Sequence, residues 1–288
     1  MHVAKRSAIG QMRNRTVVGG DDCACAPFGK KAFARSGNDF GENKMNYDRV
    51  IAVRTSKTVY RDGDSCIKTF DADYSAEDVM NEAIKQEKAR KTGLNVPAVR
   101  AIIPVGDGWG IVSDYVRGKT LERIVSENPS EKKKLYSEFV DLQIKVQSKS
   151  IDSLQKTNEK IALAIKRSAL DENAKDKLLS SPVLSAKGKI GLCHGDFNPS
   201  NVIKRSAAEA YIVDWPHATY GNVLFDAAAT YLWFCAEAPV YADAYAETYC
   251  EKTRSKKSDL LACVPYAAVL RLARARQSER EFFKSFII

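Results

Sequence analysis

Three side chains within one short stretch could do chemistry together. Cys193-His194-Gly195-Asp196-Phe197-Asn198-Pro199-Ser200-Asn201-Val202-Ile203 carries a carboxylate and, five residues on, an amide, in a loop broken by Gly and Pro. Ile212-Val213-Asp214-Trp215 then ends a short apolar run on a second carboxylate. Such a loop and strand end can bring Asp196, Asn201 and Asp214 into one small volume. Phosphoryl transfer needs a set of this kind: one carboxylate to accept a hydroxyl proton, and hard oxygen ligands for a Mg2+ ion bridging the phosphates. A further candidate lies upstream. Ser65–Phe70 reads as a strand whose alternation puts Cys66, Lys68 and Phe70 on one face. A lysine in such a strand wants a partner, because an unpaired buried ammonium is costly.

The loop and the strand end resemble the H-G-D-x-x-x-x-N and I-D-W motifs of the aminoglycoside phosphotransferase and choline kinase superfamily, which shares the protein-kinase fold. The resemblance covers about residues 48–285. It implies a two-lobed α+β architecture, with a small antiparallel β lobe and a larger helical lobe. It also implies an ATP-dependent enzyme moving the γ-phosphoryl group to a hydroxyl of a small molecule. In that reading Asp196 is the base, and Asn201 and Asp214 hold Mg2+. Lys68 contacts the phosphates of ATP, held by a glutamate of the next helix. Asn81-Glu82-Ala83-Ile84 resembles the family's glutamate-bearing helix and favours Glu82, whereas a helical wheel puts Glu87 nearer the centre of a Val79, Met80, Ala83 and Ile84 stripe. Trp109–Leu121 looks like the connector between lobes, with the Ser113 carbonyl and Tyr115 amide on the adenine edge. His194 is expected to hydrogen-bond nearby backbone, Gly195 to permit a tight conformation, and Asp226 to receive backbone N–H bonds from the catalytic loop.

The sequence also departs from the family. Ala52-Val53-Arg54-Thr55-Ser56-Lys57-Thr58 has no glycine where the phosphate-covering loop usually does, so Ser/Thr hydroxyls and the Arg54 and Lys57 cations would have to substitute. Asn198 and Ser200 stand where relatives often have His and Gly. A catalytically silent nucleotide-binding or regulatory module of the same fold is therefore the alternative. A protein kinase is disfavoured by Gly195, by the short span from Asn201 to Asp214, and by Trp215-Pro216 after the second carboxylate.

The elements needed to position these residues are visible as changes of texture. Arg49–Val53, Lys57–Tyr60 and Ser65–Phe70 read as strands, the last two joined by a hairpin turn at Arg61–Asp64. A helix is expected from about Ser75 to Gly93, then strands over Ala98–Val105 and Trp109–Tyr115. Helical spacing follows near 120–126, 130–148, 153–169 and 171–180, then short strands at Ile190–Cys193, Asn201–Ile203 and Tyr211–Val213, with helices from Leu224 onward. The resulting division is a β-rich lobe over 45–114 and a helical lobe over 115–288.

Residues 1–44 have neither period and read as a disordered N-terminal extension, without the apolar core of a secretory signal. Met45 is the expected alternative initiator. Their eight Lys/Arg against four Asp/Glu supply +4 of a net charge of +9. The rest is scattered, so no nucleic-acid stripe is expected, and no apolar run reaches membrane-spanning length. Seven cysteines without a C-x-x-C pair, and three histidines, argue against a zinc site and for a reducing cytoplasm. Residues 121–190 hold 14 basic and 10 acidic residues, which does not favour polycationic acceptors.

Overall fold

The computed structural model of the chain describes residues 48–54 and 57–287. The expectations for residues 1–44 and Met45, for Thr55 and Ser56, and for the Arg54 side chain lie outside what it describes.

β-Branched residues and alternation give strands where they occur between Arg49 and Phe70. β1 (Arg49–Arg54), β2 (Lys57–Asp62) and β3 (Ser65–Phe70) form a meander. The turn from β2 to β3 falls on Gly63-Asp64, where Gly63 takes φ +56°, a conformation that costs glycine little. After α1 (Ala76–Arg90), β4 (Val99–Val105) and β5 (Gly108–Asp114) complete a five-stranded antiparallel sheet ordered β1-β2-β3-β5-β4. Ser75 starts α1, its Oγ accepting the Asp78 N–H at 3.1 Å. Phe70, Val79, Ala83 and Ile111 make a small core between the sheet and the first part of this helix.

The chain divides into two units. Unit one runs to Ile84 and resumes over Pro97–Arg117; unit two comprises Lys85–Val96 and everything from Gly118. Unit two holds the helices α2 (Leu121–Glu127), α3 (Lys132–Gln147), α4 (Thr157–Arg167), α5 (Glu172–Ser180) and α6 (Pro182–Ser185). It continues with α7 (Val223–Glu237), α8 (Ala242–Thr253), α9 (Lys257–Ala262), α10 (Val264–Leu272) and α11 (Gln277–Lys284). Thr120, Asp171 and Asn222 cap α2, α5 and α7 by accepting backbone N–H groups. One core gathers α3, α7 and α8 around Phe139, Trp215, Phe234 and Tyr249; a second packs α4, α7 and α10 around Ile161, Ile165, Leu232 and Tyr266.

Short strands thread the helices: β6 (Lys119–Thr120), β7 (Ile190–Cys193), β8 (Val202–Lys204), β9 (Ala210–Ile212) and β10 (Thr219–Asn222). The strand β10 was not among the elements expected from the sequence; it pairs with β7, setting Cys193 against Thr219. Four residues ending in Gly221-Asn222 are too short and too turn-like to show a strand period. Among the described residues, no helix is long and apolar enough to cross a membrane.

Candidate active site

In unit one, the Lys68 Nζ lies 2.5 Å from Glu82 Oε1, and the Lys57 Nζ lies 3.1 Å from Oε2. Both oxygens of one carboxylate are thus in ion pairs, and Glu82 is only 5% exposed. Removing one partner of a buried pair costs about 3–5 kcal/mol, because the charge left behind has no compensation. Lys57, read as a substitute for phosphate-loop contacts, is engaged with this carboxylate. Of Glu82 and Glu87, Glu82 is the one that is buried and pairs with Lys68. Met80 and Ile84 of the supposed apolar stripe are exposed at 44% and 50%, while Val79, Glu82 and Ala83 share the buried face. Glu87 pairs with Arg90.

The register of β3 on β5 sets Cys66 opposite Ser113. Burial pushes the Cys66 thiol up, partly offset by Lys68 and by a hydrogen bond with Ser113. The Tyr115 amide, expected on an adenine edge, donates to the Asp64 carbonyl at 2.8 Å in this structure. That N–H is spent on closing the β2–β3 turn against the end of β5, and Arg61 lies over the Tyr115 ring at 4.5 Å.

In unit two, main-chain and side-chain bonds knot the loop after β7 to the end of β9. The Asp196 carbonyl accepts from the Asn201 amide at 2.9 Å and the Asn198 amide at 3.0 Å. The Asn201 carbonyl in turn accepts the Val213 N–H at 3.0 Å, which brings Asp214 alongside. His194 is fully buried, with Nε2 3.1 Å from the Val213 carbonyl and Nδ1 accepting the Asp196 N–H at 3.3 Å. Its ring lies against that of Trp215, centroids 4.5 Å apart and tilted by 53°. Gly195 has φ +78°, and a Cβ there would stand 2.6 Å from the His217 carbonyl oxygen. Its N–H donates to Asp226 Oδ1 at 2.7 Å, while Oδ2 receives the amides of Gln147 and Gln143. Asp214 adopts φ +68°, a left-handed conformation that Asp tolerates better than most residues.

The sequence reading missed the cations around this knot. Arg271, in the last turn of α10, donates from Nη1 to Asp196 Oδ1 at 2.7 Å; Arg274 approaches the same oxygen at 3.8 Å and donates to the Gly195 carbonyl at 3.2 Å. Burial raises the Asp196 carboxyl, but Arg271 and Arg274 outweigh it and hold the group below its ordinary value. Lys160 donates to the His217 carbonyl at 2.8 Å and Lys85 to the Pro216 carbonyl at 2.7 Å. The available signal was Arg271 itself, the one charged residue in the nine of α10.

Burial, with Lys85 and Arg274 nearby, brings the Lys160 ammonium down to about 7 from 10.5. Between those values the unfolded chain binds more protons at this site, so its effect on stability becomes more favourable as pH rises. Lys160→Met is therefore expected to gain on the wild type most at pH 6 and least at pH 10. Thermal melts of both proteins across this range check it; a pH-independent difference would contradict the assignment.

The sequence matches the model of the "Phosphotransferase enzyme family" over residues 49–260. The chain belongs to this family. No curated protein matches it in sequence. Solved structures similar to this phosphotransferase-family chain include a choline/ethanolamine kinase family protein from Mesorhizobium loti, at 16% identity and TM-score 0.53, covering 82% of this chain and 86% of that one. A thermostable mutant of aminoglycoside phosphotransferase APH(4)-Ia, solved with AMP-PNP and hygromycin B, is similar at 13% identity and TM-score 0.61, over 83% and 91% of the two chains. Aminoglycoside phosphotransferase APH(3'')-Id from Streptomyces rimosus, solved with ADP and streptomycin, is similar at 14% identity and TM-score 0.54, over 74% and 90%. At these identities the likeness shows the fold, which is α+β and protein-kinase-like, with a small antiparallel sheet and a larger helical part.

Proposed function

We propose that this member of the phosphotransferase family moves the γ-phosphoryl group of ATP to a hydroxyl of a small molecule, using Mg2+. The observation that carries the reading is the knot joining Asp196, Asn201 and the Asp214 segment through hydrogen bonds of 2.9 and 3.0 Å. Asp196 orients the acceptor hydroxyl and takes its proton. Lys68, fixed by Glu82, holds phosphate oxygens.

The donor set suits Mg2+. Asn201 spends its amide N–H on the Asp196 carbonyl, which leaves the amide oxygen as a hard ligand, and Asp214 supplies a charged one. Among the described residues no three His, Cys, Asp or Glu gather in one place. Mg2+ needs no such cage, since it keeps several waters and takes one or two carboxylates plus phosphate oxygens. When bound it supplies charge neutralisation on those oxygens. The Asp196–Arg271 pair and the loop without glycine favour a second reading, nucleotide binding without turnover.

ADP release from Mg-ATP across amino sugars, macrolides, choline, homoserine and simple sugars tests the function. Acceptor-dependent release supports transfer, whereas nucleotide binding with no turnover supports the silent module.

Placing Lys68 on the phosphates also puts Cys66, on the same strand face, towards the adenine. Alkylation of Cys66, followed by site-resolved mass spectrometry, is expected to slow when Mg-ATP is present and to quicken as pH climbs towards its raised thiol value. Equal labelling rates with and without nucleotide would count against this placement.

A further inference from the structure

We propose that the acceptor is an alcohol bearing an anionic group, a carboxylate or a phosphate, held by Arg271 and Arg274 beside Asp196. The proposal rests on the phosphotransferase reading, because it takes Asp196 as the group that meets the acceptor hydroxyl. Whatever surrounds the Asp196 carboxylate then surrounds the acceptor.

Those surroundings are cationic. Four basic side chains of unit two converge on two adjoining loop segments: Arg271 on Asp196 Oδ1, Arg274 on the Gly195 carbonyl, Lys160 on the His217 carbonyl and Lys85 on the Pro216 carbonyl, and of these Arg271 and Arg274 act on Asp196 itself. The segments adjoin closely, since a Cβ on Gly195 would stand 2.6 Å from the His217 carbonyl oxygen. Asp196 and Asp214 are the carboxylates that act on Arg274. A third, Asp226, is buried at 2% exposure and is satisfied by the Gly195 N–H and two glutamine amides. Lys160 has no carboxylate within ion-pairing distance among the described residues; its hydrogen-bond partner is a carbonyl.

Arg271 is 19% exposed and Arg274 28%, so both can be reached from solvent. A guanidinium has five N–H donors in a planar fork that matches the oxygens of a carboxylate or phosphate. Arg271 gives one nitrogen to Asp196 and Arg274 gives one to Gly195, which leaves donors on each for a ligand. A cationic acceptor would meet the like charge of Arg271 and Arg274 beside Asp196. An anionic one is attracted by both guanidinium groups and matches their planar forks.

The test measures ADP release with acceptors that differ chiefly in charge. Glycerol 3-phosphate and glucose 6-phosphate form the phosphate arm, glycerate and gluconate the carboxylate arm. Glycerol and glucose are neutral, and glucosamine, choline and kanamycin are cationic. An anionic compound is expected to have the highest kcat/KM, the better arm identifying the group. Arg271→Gln and Arg274→Gln should each raise its KM by about tenfold or more, the loss of roughly one charged contact, with the KM for ATP changed less than about twofold. Arg271→Lys and Arg274→Lys should recover part of the effect, and melting curves check that every variant folds. Best use of a neutral or cationic acceptor, or a KM effect on ATP instead, overturns the proposal while leaving phosphotransfer intact. If no compound raises ADP release, the phosphotransferase reading is what fails. Calorimetric titration with inorganic phosphate then decides the anion site separately. Binding weakened about tenfold or more by Arg274→Gln supports it; no binding to the wild type, or equal binding to the variant, overturns it.

Discussion

Asp196→Asn is expected to lower turnover by about 10²–10⁴-fold while Mg-ATP binds nearly as well as to the wild type. That loss corresponds to roughly 3–5.5 kcal/mol of barrier, at about 1.36 kcal/mol per decade. Asparagine keeps the shape of the side chain and an oxygen for the Arg271 N–H, now 2.7 Å from Asp196 Oδ1, but cannot take a proton. Alanine would be a poorer test, since it strands Arg271 and Arg274 without their carboxylate. Burial pushes the Asp196 carboxyl up, but the two arginines hold it below its ordinary value. Its pair therefore stabilises the fold above the unfolded aspartate value of about 3.9 and is lost as pH falls through the lower folded value. Wild type and Asp196→Asn should accordingly converge in stability only below about pH 4. Stopped turnover with unchanged calorimetric Mg-ATP binding is the expected pair of results. Loss of nucleotide binding on this substitution would mean that Asp196 does not serve as the base.

The strands and helices were legible where one period dominates. Ser65–Phe70 and Val99–Val105 show as β runs, and the Leu135, Phe139 and Val146 spacing shows α3. β10 was not, because four residues with Gly221 carry no period, and only its pairing with Ile190–Cys193 makes it a strand. The knot around Asp196 was legible for a different reason: its parts lie within one short stretch, so spacing alone constrains their geometry. The partner of Lys68 was harder. A helical wheel weighs side chains by hydrophobicity, so it placed Met80 and Ile84 inside, whereas the structure exposes both and buries Glu82 between two lysines. A buried carboxylate with two ammonium partners behaves as core, which no hydropathy pattern registers. The Tyr115 backbone N–H likewise looks available in sequence, whereas in the structure the distant Asp64 carbonyl accepts it. The basic residues around the Gly195–Asp196 and Pro216–His217 segments were invisible as a group because they come from α1, α4 and the end of α10. Counting charge over residues 121–190 captured Lys160 but could not show that Lys85, Arg271 and Arg274 join it.

Asp214→Asn should separate the second carboxylate from the first. Mg-ATP binding is expected to weaken by roughly 10–100-fold, the range found even for groups that only support a metal ligand, and the magnesium needed for half-maximal turnover should rise with it. Asparagine retains an oxygen but not the charge, and a hard divalent cation depends on charged oxygens for affinity. Folding should not confuse the result. Asp214 sits at φ +68°, and Asn shares the tolerance of Asp for that left-handed conformation, so the substitution adds no strain at the turn. Removing the Asp214 charge also removes one influence that raises the Asp196 carboxyl, so the base stays ionised at neutral pH and turnover at saturating magnesium should recover in part. Titration of Mg-ATP into wild type, Asp196→Asn and Asp214→Asn, with magnesium-dependent turnover measured alongside, reads both roles at once. Full activity of Asp214→Asn at low magnesium, with unchanged Mg-ATP affinity, would remove Asp214 from the metal site and leave Asn201 without its charged companion.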